Sequence, residues 1–147
     1  MEIMSKTTTI IDADGLILGR MASNIAKRLL EGEGIVVVNA ERAVLSGRKR
    51  SKVSEAKEFL DVGGVGRGPF HYRRPDGIVR KAVKGMLPIR QPKGLQAYRR
   101  LQVFIGVPDN LKGHKMDTLT DAHAKKLTCS YFTVGELAKD VGWNQGE

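Results

Sequence analysis

Cysteine is almost absent from this chain: Cys129 is the only one in 147 residues. An intramolecular disulfide is therefore excluded. With only three histidines, a cysteine-rich zinc site is excluded as well. Long apolar runs are also missing, and none approaches the roughly 18–20 residues of a membrane span. The opening MEIMSK has neither an apolar core nor a cleavage pattern, so no secretory signal is expected. Together these absences predict a soluble, cytoplasmic protein. The length fits a single domain over residues 1–147, and such a domain buries roughly 70% of its unfolded surface without a covalent staple.

Acidic residues are scarce in one place only. Residues 1–41 carry four Lys/Arg against six Asp/Glu, residues 42–101 carry sixteen against four, and residues 102–147 carry five against six. The formal charge of +9 thus comes entirely from the middle segment, which alone holds a net +12. A surface built for solubility mixes its signs. A block of one sign repels itself and points to a polyanionic partner, nucleic acid first among them.

The apolar pattern predicts an α/β fold. TTTIIDA (7–13) and IVVVNA (35–40) are apolar, β-branched runs without alternation, as in strands of a parallel sheet covered on both faces. Between them Leu18, Met21, Ala22, Ile25, Ala26, Leu29 and Leu30 share one helical face, and Gly32 stands where a helix ends. Strand, helix and strand make a βαβ unit. Further helices are expected at 52–60, with Val53, Ala56 and Leu60 inward, and at 78–87, with Val79, Ala82, Val83, Met86 and Leu87 inward and Pro88 as the stop. A short basic helix near 94–100 should lead into a strand at 101–106. Near the end, Thr133 and Glu136 have capping-box spacing, and Phe132 with Leu137 can form a hydrophobic staple.

The stretch GGVGRGPFHYRRP (63–75) invites a phosphate-cradle reading, which its spacing does not support. Gly64, Gly66 and Gly68 make G-x-G-x-G after a helix-like segment, whereas a dinucleotide fingerprint needs G-x-G-x-x-G after the first strand. The first strand-to-helix turn, DGLILGRMAS, lacks the lysine and hydroxyl of a P-loop. Gly15 there is expected to make a turn and Gly19 to allow close helix–strand packing, with Arg20 open to a phosphate of a larger ligand. Asp12 and Asp14 read as a turn pair rather than a cation site. His71, His114 and His123 share no context, and Cys129 reads as a buried structural thiol. No nucleophile–base pairing stands out, so no enzyme activity, cofactor or small-molecule substrate is expected.

RNA binding accounts for more of these residues. Four basic clusters fall within the middle segment: Arg48, Lys49, Arg50 and Lys52; Arg67, Gly68, Arg73 and Arg74; Arg80, Lys81 and Lys84; Arg90, Lys93, Arg99 and Arg100. Arginine offers a planar fork to phosphate oxygens and lysine a point charge. Glycine beside arginine lets the backbone come close to a nucleic-acid strand. Phe70, His71, Tyr72 and Tyr98 interleave with the charges, and such rings stack on splayed bases. Phe70 is expected to pack inward.

RGPFHYRRP, KAVKGMLP and LQVFIGVP, in that order, closely resemble the archaeal and eukaryotic branch of the thirteenth universal protein family of the large ribosomal subunit. LGRMAS, VVVNAE, LSGRK and YFTVGELAKDVGW match the same family, and only about residues 108–127 match poorly. The resemblance implies a three-layer α/β/α domain around a central, mainly parallel four-stranded sheet. It also implies a structural role: binding large-subunit rRNA, contacting neighbouring ribosomal proteins and entering early in subunit assembly. A free RNA-binding regulator of translation is the alternative.

Overall fold

The computed structural model describes residues 7–66 and 71–144. The two apolar runs form adjacent parallel strands, β1 (Thr8–Asp12) and β2 (Gly34–Val38), in register from Thr8 beside Gly34 to Asp12 beside Val38. Helix α1 (Leu18–Leu30) joins them and buries Leu18, Met21, Ala22, Ile25, Ala26 and Leu29, six of the seven residues on its expected face. Leu30 is the exception. It is the last helical residue and remains 43% exposed. The helix stops where Gly32 takes φ +105. Gly32 N–H donates to Leu29 O and Glu33 N–H to Arg28 O, the paired bonds of a Schellman motif.

The remaining elements follow in order. β3 spans Val44–Ser46, α2 Lys49–Asp61, α3 Pro75–Gly85, α4 Pro92–Arg99, β4 Leu101–Val103, β5 Tyr131–Thr133 and α5 Val134–Asp140. Among the described residues no helix is long and apolar enough to cross a membrane. The central parallel sheet has three strands, ordered β1-β2-β4, rather than the expected four. On the free edge of β1, among the described residues, the chain returns through a single bridge at Ile11 and Asp117. β3 leaves the sheet because Asn39, at φ 56, turns the chain into a short 3-10 turn directly after β2. It pairs instead with β5, antiparallel, with Val44 opposite Thr133.

The expected three layers are likewise built differently. One face of the sheet, carrying Ile11, Ile35 and Val37, packs with α1, α3 and α4 through Met21, Ile25, Val79, Val83 and Ala97. The other face, carrying Ile10, Val36 and Val38, is covered by Phe104, Val107, Leu111 and Met116. Those four lie on an irregular segment with one 3-10 turn, Asp109–Leu111. Gly106, Pro108 and Gly113 interrupt it too often for a helix. Burial on both faces, the physical demand of a continuous apolar strand, is thus met by a loop on one side.

The N-cap of α5 forms as its spacing requires. Glu136 N–H donates to Thr133 Oγ1 at 3.2 Å, and Thr133 N–H donates to Glu136 Oε2 at 3.4 Å. Phe132 and Leu137 are buried in one cluster with Val141, and Val53, Ala56 and Leu60 of α2 pack on it from outside. In α3 Val79 and Val83 are buried, and just beyond its end Leu87 is buried while Met86 is 45% exposed. The helix ends at Gly85, three residues before Pro88, with Met86 as its C-cap.

Two expectations for small residues are corrected. A Cβ on Gly19 would meet nothing within 4 Å, so the packing role expected for it is absent. Gly19→Ala is therefore expected to be neutral or to stabilise the fold by up to about 0.5–1 kcal/mol, read by urea unfolding. Cys129 is exposed, because residues 128–131 form a surface approach to β5 whose inward residue is Phe132. Gly15, in contrast, does form the turn, at φ +73. The aspartates there act as a turn pair: Asp12 Oδ1 accepts from Asp14 N–H at 3.0 Å and from Asn39 Nδ2 at 2.9 Å.

Candidate nucleic-acid interface

Pro75 begins α3 at a position that needs no backbone N–H, with its fixed φ already suited to the helix. The segment before it, His71–Arg74, has no regular secondary structure and sets His71 beside Lys81 and Tyr72 beside Gly77 of α3. Helical spacing sets Arg80, Lys81 and Lys84 on the solvent side, opposite buried Val79 and Val83. Fixed by those two valines, the helix presents its basic arc beside the arginines that precede it.

The side chains interlock across this seam. The Lys81 ammonium, a donor only, lies 3.1 Å from His71 Nδ1, which accepts. The His71 ring also approaches Phe59 of α2, with centroids 5.4 Å apart. The Arg80 guanidinium carbon sits 5.3 Å and the Lys84 ammonium 5.9 Å from the Tyr98 ring centroid, within cation–π range. Arg74 Nε pairs with Asp76 Oδ1 at 3.4 Å; with Arg74 67% exposed, such a pair holds the side chain loosely. Arg73 extends towards the C-terminal turn of α5, where a Cβ on Gly142 would lie 3.4 Å from its Nη1.

Two grooves result. The first, of about 450 Å³, is walled by Tyr72, Arg73, Arg74, Arg80 and Tyr98, with Asp76 its only acid among the described residues. The second, of about 750 Å³, runs on past Lys81 and Lys84 to Arg90, and no acid lines it among the described residues. Three of the four basic clusters therefore contribute to one continuous surface, and two tyrosines are set into it.

The other sequence-predicted residues fall elsewhere. Arg48, Lys49, Arg50 and Lys52 are exposed around the first turn of α2, with Lys49 paired to Asp140 at 3.3 Å. Phe59, which touches His71, lies about 15 Å further along that helix. Lys93 and Arg99 are exposed on α4. Arg100 turns inward, where its Nη2 donates to Leu29 O at the end of α1 and its Nε is buried. Arg67, Gly68 and Phe70 lie outside the described residues. Counting charges did not single out Asp76 and Gly77. A glycine in the first turns of a helix was the available signal, because it costs helix stability unless packing needs it.

An α/β layer that carries a basic surface of one sign, with rings among the charges, has the construction of a nucleic-acid-binding protein. Comparison with known proteins defines the class further. The model of the family Ribosomal protein L13 matches residues 6–110. "Large ribosomal subunit protein uL13" of Archaeoglobus fulgidus is 47% identical over 137 residues, covering 92% of this chain and 88% of that protein. The proteins of the same name from Methanosarcina barkeri and Methanocaldococcus jannaschii are 43% and 44% identical, each covering 91% of this chain and 97% of their own length. The chain belongs to the ribosomal protein L13 family, whose members are structural components rather than enzymes.

Proposed function

We propose that this chain is a structural constituent of the large ribosomal subunit, that it binds large-subunit rRNA through the surface between His71 and Arg90, and that it supports early subunit assembly. One observation carries the reading: Arg73, Arg74, Arg80, Lys81, Lys84 and Arg90 line adjoining grooves whose only acid among the described residues is Asp76. Such a surface neutralises a phosphate backbone, and backbone contacts set register without reading sequence. Lys93 and Arg99 on α4, and the cluster from Arg48 to Lys52 on α2, extend the basic area to a second and third approach. Arg100 is left out of the set, since its guanidinium is committed to the end of α1. Neighbouring ribosomal proteins are the further partners, and the ribosome is the site of action.

Sucrose-gradient co-sedimentation tests the assignment. The protein is expected at one copy per large subunit after a high-salt wash. Recovery only in free, substoichiometric RNA complexes would overturn it in favour of a separate regulator.

A further inference from the structure

The first groove is more than a patch of charge. Its floor and walls combine the rings of His71, Tyr72 and Tyr98 with three guanidinium groups and one carboxylate in about 450 Å³, a space on the scale of one nucleotide. The ring of Tyr72 is seated against the backbone of α3: a Cβ on Gly77 would come to 2.8 Å from its Cδ1 and 3.0 Å from its Cγ. Gly77 is therefore the residue that lets this ring lie against the helix, although glycine weakens a helix in general. Tyr72 is nonetheless 51% exposed. Across the groove, Arg80 is held against Tyr98, so its guanidinium plane is pre-positioned rather than free. Phosphate-only binding needs neither the tyrosine seat nor the glycine beneath it.

We infer that this groove takes one unpaired nucleotide of the rRNA, its base against Tyr72 and the Arg80–Tyr98 pair and its phosphate on Arg73 and Arg74. The inference rests on the reading that this face binds rRNA, and it names what the face selects. Aromatic and guanidinium planes receive a base splayed from its stack, which is how proteins read single-stranded RNA. Asp76 adds chemical preference. Its side chain is 26% exposed, and its Oδ1 already accepts from Gly77 N–H at 2.8 Å and faces Arg74. The carboxylate only accepts, so it favours a base edge bearing an amino group over the carbonyl edge of uracil.

The test uses the full chain and transcribed large-subunit rRNA, with filter binding across a salt series and chemical probing of base reactivity. Tyr72→Ala is expected to weaken binding roughly tenfold while leaving the salt slope unchanged, because it removes a ring and no charge. Tyr72→Phe keeps the ring and should bind within about twofold of the parent. Gly77→Ala should weaken binding like Tyr72→Ala, since the added methyl meets Tyr72 at its Cβ as well as its ring and must displace it. One unpaired, amino-bearing nucleotide should be protected by the parent protein and reactive with Tyr72→Ala. An abasic residue at that position should reduce parent affinity to the Tyr72→Ala level. Unchanged affinity for Tyr72→Ala, or no nucleotide whose protection depends on Tyr72, overturns the nucleotide pocket. If Arg73→Ala with Arg74→Ala still flattens the salt slope in that case, the broader rRNA reading survives. If the parent chain itself shows no salt-dependent binding, both fail.

Discussion

Replacing Arg73 and Arg74 together by alanine is expected to lower affinity for large-subunit rRNA by roughly ten- to a hundredfold at moderate salt. The two residues sit side by side at the entrance to α3, and neither is tied firmly to a carboxylate among the described residues. Arg74 has one loose contact with Asp76 at 3.4 Å, and Arg73 reaches over the turn at Gly142. Their guanidinium groups are thus available to phosphate oxygens at little conformational cost. The mechanism has its own signature. A cation that no longer meets its phosphate should flatten the slope of log affinity against log salt by roughly 0.7–0.9, so the double variant should flatten it by about 1.4–1.8. The fold should not suffer, because both side chains are exposed and surface charges of this kind contribute little to stability. A drop in affinity with an unchanged slope would mean an altered shape rather than a missing phosphate partner.

Gly94→Ala should destabilise the protein by about 3 kcal/mol or more, lowering Tm by on the order of 10 °C. Gly94 is buried near the start of α4, and a Cβ there would overlap both Pro88 O and its carbonyl carbon. Neither atom belongs to a flexible side chain. The loop from Pro88 to Gln91 is itself closed by a bond from Gln91 N–H to Pro88 O, so α4 and the end of the preceding segment must move apart together. Ala97 and Tyr98 of the same helix pack into the core cluster. The damage therefore reaches the wall that holds Tyr98 beneath Arg80, and rRNA affinity should fall as well. Urea unfolding separates this outcome from Gly19→Ala, where no neighbour stands in the way.

Local rules carried far in this chain. The apolar face of α1, the glycine that ends it and the Thr133–Glu136 cap all depend on residues a few positions apart, and each is legible in the sequence. The core of the site was legible for a related reason. Arg80, Lys81 and Lys84 share one arc of a helix, and Arg73 and Arg74 stand next to its first turn. What escaped was non-local. β3 and β5 are three residues each, and Val44 finds Thr133 only through the tertiary fold, so no periodicity announces the pair. The cover on the second face of the sheet comes from Phe104 to Met116, a segment in which Phe104, Val107 and Leu111 have helical spacing but Gly106, Pro108 and Gly113 break the helix. Arg100 shows the limit of counting charge: its position in a basic run says nothing of its direction, and it turns to a helix end. Gly77 acquires its meaning only from where the Tyr72 ring lies.

On the proposed function, the basic middle of the chain holds large-subunit rRNA chiefly by its phosphates. The salt dependence of affinity between the unmodified protein and transcribed large-subunit rRNA tests it most directly. If the five groove cations other than Arg80, which lies against Tyr98, each neutralise a phosphate, log affinity should fall against log salt with a slope of about −3.5 to −4.5. A slope shallower than about −1 would contradict the account.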